Sequence, residues 1–463
     1  MMRAVLTDGH VQLQGKKPLS TMEFISPLAI QDPIYKEEEE EEAFKVEKQD
    51  IPAVRKHLMT FSCPDVLKTL LSQHWKDLQE GFSDSEELNK EIEFQSDELK
   101  WTATKMGLWS LEYKRELTNP LCITAAQGYT DCLRYLLEHG ARPNLAPGGK
   151  TALHEACENN NPECAMLLLQ HGANPNLLNE DGLAPLHLCK TSQSFRCAKV
   201  LLKYGAVVSQ PSEEECQTPL HVVAKHGLSN HLHLYLRNGA AVDCADSSGE
   251  TPLGAACAGA QSPEELEDYL QVCRLLLLYG ADANAVDKEN RSPLHKACRN
   301  AQHSLVMLLL ENKADINAID YNGGSPLSNV LQNSNLKQDL QPHLTVQSLL
   351  NHGAHKVWPM AFLKVLTLCA SAPETIEVLF NSYHQILVTY KWMEAVPEEI
   401  YQIHQSFYES LFSLEGRPRC LQHMCRSAIR KQCGHKCHVI ITQLPLPKFL
   451  QRYLLLETQG VVY

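Results

Sequence analysis

From about residue 118 onward the apolar positions follow a fixed rhythm. Short segments recur: "TNPLCITAAQGY", "KTALHEACENN", "LAPLHLCKTS", "QTPLHVVAKHG", "ETPLGAACAGA", "RSPLHKACRNA" and "GSPLSNVLQNS". Their leucines, Leu121, Leu153, Leu186, Leu220, Leu253, Leu294 and Leu327, are spaced by 32, 33, 34, 33, 41 and 33 residues. Each segment runs into a leucine-rich stretch such as "CLRYLLEHG" or "AMLLLQHG". That stretch closes on Gly140, Gly172, Gly205, Gly239, Gly280 or Gly353, with Lys313 in the same place once. The pattern predicts two short helices per unit. Thr or Ser before Pro makes an N-cap followed by proline at the first helical position, where its missing N–H costs nothing. Small pairs such as Ala125-Ala126 let neighbouring helices approach. Glycine just past the last helical residue stops the second helix. Polar residues after it, as in "ARPNLAPGGK", predict a hairpin finger leading to the next unit.

Seven matches at this period resemble ankyrin repeats, which stack into a solenoid. The departures from the period are informative. Repeat leucine and closing glycine normally lie 19 residues apart, but 27 apart after Leu253 and 26 after Leu327. Extra residues are therefore expected between first and second helix, around 259–268 and 332–342, as surface loops. After Gly353, Pro359 follows too soon for a finger. "WPMAFLKVLTLCASAPETIEVLFNSY" then predicts two helices opened by Pro359 and Pro373, a finger-less unit that caps the stack. His154, His187, His221 and His295 fill one slot of the repeat. Catalysis would need four matched partner sets, so they are expected to bridge adjacent units by hydrogen bonds.

Ahead of the repeats, residues 1–50 are polar, with prolines and an acidic run from Glu37 to Glu42, and suggest a disordered tail. Residues 51–116 are expected to hold an N-terminal helical region, including a helix pair over 52–82, and the first finger. Seven units occupy 117–356, the capping unit 357–412, and a further small module 413–463.

Composition narrows the chemistry. A net charge of −13 argues against a nucleic-acid binder. No apolar run reaches the length of a membrane span, and no secretory signal is evident. Seventeen cysteines, odd in number and scattered, suggest reduced intracellular thiols. The chain is therefore expected in the cytoplasm, with the nucleus as a second compartment. Phosphate-loop, serine-hydrolase and zinc-protease motifs are lacking, and no cofactor is expected. "CGHKCH" offers Cys433, His435, Cys437 and His438 as ligands. They crowd into six residues without a second cluster, unlike the separated ligand pairs of structural zinc sites, so no metal is expected.

The C-terminal module carries the sharpest pattern. In "RCLQHMCRSAIRK", Leu421, Cys425 and Ile429 fall four residues apart, on one face of a helix. Alone, Cys425 could be a nucleophile, a metal ligand or a small hydrophobe. "LPLPKFLQRYLLLETQG" follows, with Pro445 and Pro447 setting a rigid extended segment before another short helix. So small a piece cannot bury its own apolar face, so these residues must dock on the repeats or serve a partner.

Leu-x-x-x-Cys-x-x-x-Ile followed by Leu444-Pro445-Leu446-Pro447 resembles a SOCS box. With the repeats, the chain is identified as a member of the ankyrin repeat and SOCS box family over roughly residues 101–463. "PGGKTALHEAC", "NHGAHKVWP" and "IEVLFNSY" also carry the resemblance. Cys420 stands where the family usually has Ser, Thr, Pro or Ala. The implied fold is an all-α repeat, an ankyrin-repeat solenoid followed by a small helical SOCS box. The implied role is that of a non-catalytic substrate adaptor of an E3 ubiquitin ligase. In it Leu421, Cys425 and Ile429 insert into Elongin C, which binds Elongin B. Leu444, Pro445, Leu446 and Pro447 help select cullin-5, which carries an Rbx-type RING protein. Cys425 would then be a small apolar plug. The alternatives are a plain ankyrin scaffold whose box caps the stack, and an enzyme or metalloprotein using the Cys/His-rich tail.

The substrate is an unidentified protein. An acidic set, Glu180, Asp181, Glu213, Glu214, Glu215, Asp246, Asp287, Glu289 and Asp320, recurs at the finger positions and is expected along one edge of the stack. It is the candidate substrate surface, set against an ordinary solvated face. Asn317, in "LLENKADIN", resembles finger asparagines that an asparaginyl hydroxylase modifies; the simpler expectation is local backbone hydrogen bonding.

Overall fold

Every repeat is built from the local signals its sequence carries, and the helices follow the predicted starts and stops. The computed structural model describes residues 88–89, 91–103, 109–262 and 264–462. All of them belong to the unit His57–Tyr463. The expected tail over 1–50 and helix pair over 52–82 lie outside the described residues.

The first two units are α1 (Pro120–Gln127) with α2 (Thr130–Glu138), and α3 (Ala152–Glu158) with α4 (Pro162–Gln170). In the third unit the first helix shrinks to a 3-10 turn, Pro185–Leu188, ahead of α5 (Phe195–Lys203). The run Thr191–Ser194 that follows the turn is polar, and the Ser194 hydroxyl donates to the Thr191 carbonyl, competing with helix continuation. Next come α6 (Pro219–Lys225) with α7 (Ser229–Arg237), and α8 (Pro252–Gly259) with α9 (Leu266–Leu278). Then follow α10 (Pro293–Arg299) with α11 (His303–Glu311), and α12 (Pro326–Asn333) with α13 (Pro342–Asn351). The two insertions fall between the paired helices of their units. The first lengthens α9 and the second forms a 3-10 turn, Gln338–Leu340. Asn119 and Thr151 cap α1 and α3 through their side chains. The closing glycines are left-handed, and Lys313 takes the same conformation at φ 63° despite its Cβ.

The repeat histidines bridge neighbouring units as expected. In each, Nδ1 accepts the N–H of its own helix cap: Thr151 for His154, Ala184 for His187, Thr218 for His221 and Ser292 for His295. Nε2 then donates into the next finger, to the carbonyls of Leu183 (3.1 Å), Gln217 (2.9 Å), Glu250 (3.0 Å) and Gly324 (3.2 Å). All four rings are buried.

After Ala354 a 3-10 turn, Pro359–Ala361, leads into α14 (Phe362–Cys369), and Pro373 opens α15 (Pro373–Ser382). α14 packs on α12 and α15 on α13, continuing the stack. Short helices α16 (Tyr390–Glu394), α17 (Glu398–Ile403) and α18 (Gln405–Phe412) complete this end. One continuous apolar core runs from the first unit through this end.

At the N-terminal side, where a first finger was expected ahead of the repeats, the described residues form an antiparallel hairpin of β1 (Ile92–Ala103) and β2 (Trp109–Thr118). Pairing runs from Ile92 with Thr118 to Ala103 with Trp109, interrupted between Gln95 and Leu99. The signal was present: Trp109, Leu111, Tyr113 and Leu117 alternate with Ser110, Glu112 and Glu116, a period of two. The hairpin leads straight into α1 through Asn119.

Candidate protein-docking site

The C-terminal module consists of α19 (Leu421–Cys433), α20 (Cys437–Gln443) and α21 (Lys448–Leu454). Cys420 occupies the N-cap of α19 with extended dihedrals and makes no side-chain cap bond. The polarity of α19 is the reverse of an ordinary amphipathic helix. His423, Arg426 and Arg430 are its buried residues. Leu421 is 81% exposed, Ile429 is 37% exposed and Cys425 is exposed.

The buried polar face is held largely by the repeat stack, with Arg426 turned to the module itself. Arg419, just before the helix, donates to the Asn381 side chain at 2.7 Å and lies over the Phe380 ring. His423 places Nε2 2.9 Å from the Tyr383 carbonyl and 3.1 Å from that of His384, and its Nδ1 accepts from Arg426 at 2.9 Å. Those bonds require the neutral ring with its proton on Nε2. Burial, followed by the charges of Arg419 and Arg426, pushes the His423 pKa down to about 4. Arg426 also lies over the ring of Tyr453. Arg430 donates to Asn351 at 2.6 Å, to the Leu454 carbonyl at 2.8 Å and to the Leu350 carbonyl at 3.3 Å.

α20 and α21 close a small core of Cys437, Ile441 and Leu454, with Cys433, Leu446 and Leu455 against it. Leu446 therefore serves the module itself, while Pro445 and Pro447 are exposed and Leu444 is half-buried. The extended corner is held by the Leu446 N–H donating to the Leu444 carbonyl at 2.7 Å and by Gln451 donating to the same oxygen at 2.9 Å. In the Cys/His segment, the Cys437 thiol donates to the carbonyls of Arg430 and Gly434. His438 stacks on His352, the C-cap of α13, and His435 lies against Gly353. Among the described residues no cluster of three or more His, Cys, Asp or Glu is placed to hold a metal.

The acidic candidates divide. Adjacent finger tips are bonded main chain to main chain: Glu213 N–H to Gly182, Ser247 to Glu215, Lys288 to Ser248, Tyr321 to Glu289. The acids therefore do follow one another from tip to tip. Glu180, Asp181, Glu213, Glu214 and Glu215 are exposed. Asp246, Asp287 and Asp320 instead fold back to accept N–H groups of their own turns, from residues two and four ahead. Asp287 also meets Arg291 and Lys296, Glu289 pairs with Arg291, and Asp320 is buried. Asn317 does bond backbone groups, but its side chain reaches across to the next unit rather than acting locally: it donates to the Gly353 carbonyl and accepts the His355 N–H at 2.8 Å. Asn144, Asn176 and Asn284 do the same in earlier units.

Sequence reasoning found the exposed stripe but not its anchor. The signal for the anchor was Arg419, His423, Arg426 and Arg430, themselves spaced as one helical face.

A repeat solenoid ending in such a module defines a class, ankyrin-repeat proteins with a SOCS box. Residues 106–179, 121–212, 158–240 and 264–357 match ankyrin repeats (3 copies), and residues 417–455 match the SOCS box. Human ankyrin repeat and SOCS box protein 18 is 52% identical over 405 residues, covering 86% of this chain and 85% of that protein. Human ankyrin repeat and SOCS box protein 16 is 40% identical, covering 86% and 87%. Human ankyrin repeat and SOCS box protein 10 is 44% identical, covering 79% of each. The chain belongs to the ankyrin repeat and SOCS box family. Membership implies a substrate-adaptor role in cullin–RING ubiquitin ligases.

Proposed function

We propose that the chain is the substrate-recognition adaptor of an Elongin B/C–cullin-5 E3 ubiquitin-protein ligase with an Rbx-type RING protein. Leu421, Cys425 and Ile429 enter Elongin C, and the Leu444–Pro447 corner contributes to cullin-5. The ankyrin stack holds a target protein, which is ubiquitinated and passed to the proteasome. The chain performs no chemistry. It converts a bimolecular ubiquitin transfer into an effectively intramolecular one.

The observation that supports this reading is the inverted helix. An apolar stripe with 81% exposure at Leu421 sits on a helix whose polar face is locked to the stack. An exposed apolar row held rigidly in water is the signature of a surface awaiting a protein. Co-purification of Elongin B and C with the full chain, compared with Cys425→Phe, tests it. Capture by the wild type and loss by the variant are expected. Equal capture by both would reject the assignment and leave a plain ankyrin scaffold.

A further inference from the structure

The chain after α21 does not trail away. Leu456 and Val462 are buried in the main core. The Leu455 carbonyl accepts from Gln347 at 2.9 Å and from Asn351 at 2.8 Å, both on α13. The Val462 N–H donates to the Ser410 hydroxyl on α18 at 2.9 Å. Between these points lies Glu377, on α15, whose side chain is buried at 1% exposure. Its two oxygens take separate main-chain donors: Oε1 the Gln459 N–H at 2.7 Å and Oε2 the Gly460 N–H at 2.9 Å. Two consecutive N–H groups thus converge on one anion, and Gly460 continues the chain with a left-handed φ of 77°. Among the described residues Glu377 forms no ion pair.

A buried carboxylate held by main-chain donors is a poor way to gain stability, since an apolar residue of similar volume does as well. It does specify one position. The module needs such a device, because its own core is three buried residues. The box is tied at two levels: near one pivot, where α19 is held through Arg419, His423 and Arg430 and Asn351 joins Arg430 to the Leu455 carbonyl, and further along, where Glu377 grips the segment beyond α21. One tie leaves a swivel; two fix an angle.

We propose that Glu377 is a positioning residue: by gripping the backbone at Gln459 and Gly460 it fixes the angle between the SOCS box and the repeat stack, and so the place where ubiquitin is delivered. The delivery clause rests on the ligase assignment; the angle does not. A fixed angle confines transfer to the lysines within reach, while a swivelling box spreads it.

The full chain is labelled with an energy-transfer dye pair at the exposed residues His139 and Lys436, through unnatural amino acids. Wild type, Glu377→Leu and Gln459→Pro are compared. The proline variant removes one of the two N–H donors, at an exposed residue, and leaves Glu377 itself in place. A narrow distance distribution for wild type and a broadened one for both variants is expected, with unchanged melting of the repeats. Amide exchange over residues 458–462 should rise about tenfold or more. With the assembled ligase, the chain's own lysines serve as acceptors, and mass spectrometry should find more modified sites in the variants. Elongin B/C capture should be equal in all three. A distribution that stays narrow in both variants overturns the proposal. Broadening with an unchanged set of modified lysines overturns the delivery clause. Failure of the wild type to capture Elongin B/C removes the ligase assignment, and the distance distributions then decide the angle alone.

Discussion

The guanidinium of Arg430 donates to the side-chain oxygen of Asn351 at 2.6 Å, across 79 residues of chain. Asn351 in turn donates to the Leu455 carbonyl, so one amide ties both ends of the box to the seventh repeat. The two faces of α19 thus have separate tasks, and mutations should separate them. Arg430→Met leaves the Asn351, Leu350 and Leu454 oxygens without this donor. It should cost about 3 kcal/mol in urea unfolding, the usual scale for breaking a buried charged network. Leu421→Ala should leave unfolding unchanged within about 0.5 kcal/mol, since the side chain is already in water. The same Leu421→Ala should weaken Elongin C binding by about 2–4 kcal/mol, measured by calorimetry.

The Leu-Pro-Leu-Pro corner contains two kinds of residue. Leu446 packs on the box core of Cys437, Ile441 and Leu454, whereas Pro445 and Pro447 are exposed. Replacing all four would mix structure with recognition. Pro445→Ala with Pro447→Ala should retain Elongin C and lose cullin-5 in one pulldown. Leu446→Ala should lower the melting temperature of the box. Loss of both partners in the proline variant would mean that the corner is structural.

Buried histidines make the fold acid-sensitive. Burial pushes His154 down to about 4, and burial with the neighbouring arginines does the same to His423. His187, His221 and His295 are also lowered, chiefly by burial. An unfolded histidine takes its proton near pH 6.5, while folded His154 and His423 take theirs only near 4 and the other three below their usual value, so in that window the unfolded chain binds more protons. Stability is therefore full above pH 6.5 and falls as pH drops through the window. The urea midpoint should decrease steadily from pH 7.5 to 5. His154→Gln should lower it at pH 7.5 and reduce its slope with pH.

Much of this architecture is legible from local signals, because each repeat carries its own cap, proline and closing glycine. Lys313 illustrates the strength of that code: it adopts the left-handed conformation that its neighbours give to glycine. What the sequence did not reveal depends on distant partners. The hairpin required recognising that the strands Ile92–Ala103 and Trp109–Thr118 pair with each other. The stripe of Leu421, Cys425 and Ile429 was visible, but its exposure depends on Asn351, Asn381 and Tyr383, far upstream. For the acids, residue type marked a row, yet Asp246, Asp287 and Asp320 spend their oxygens on their own turns. That distinction follows from tip geometry rather than composition.

Lys313→Gly should stabilise the chain. A side chain at positive φ costs about 1 kcal/mol relative to glycine. The Lys313 carbonyl still accepts from Asn284, so the finger ladder is kept. Glycine also widens the unfolded ensemble, which offsets part of the gain. A net gain of about 0.5 kcal/mol is expected in urea unfolding. A loss would show that the lysine side chain makes a favourable contribution of its own.

The acidic edge is the remaining proposal for the substrate surface, now narrowed to Glu180, Asp181, Glu213, Glu214 and Glu215. Their tips touch: Gly182 accepts the Glu213 N–H at 3.1 Å, and a Cβ at Gly182 would sit 2.6 Å from that of Glu213. Five carboxylates on adjoining tips create a field that attracts a basic segment, mainly through its association rate. Such steering weakens as added salt brings the Debye length to about 8 Å. Glu213→Lys, Glu214→Lys and Glu215→Lys together should slow capture of a lysine-rich test peptide at low salt. At moderate salt the difference from wild type should shrink. The tips themselves should stay folded, because the Glu213 and Glu215 contacts across the ladder are made by main chain. Capture that ignores both the charge reversal and the salt would reject this edge. It would move the search to the groove side of the first helices, where Lys296 bridges Glu250 and Asp287 between neighbouring units.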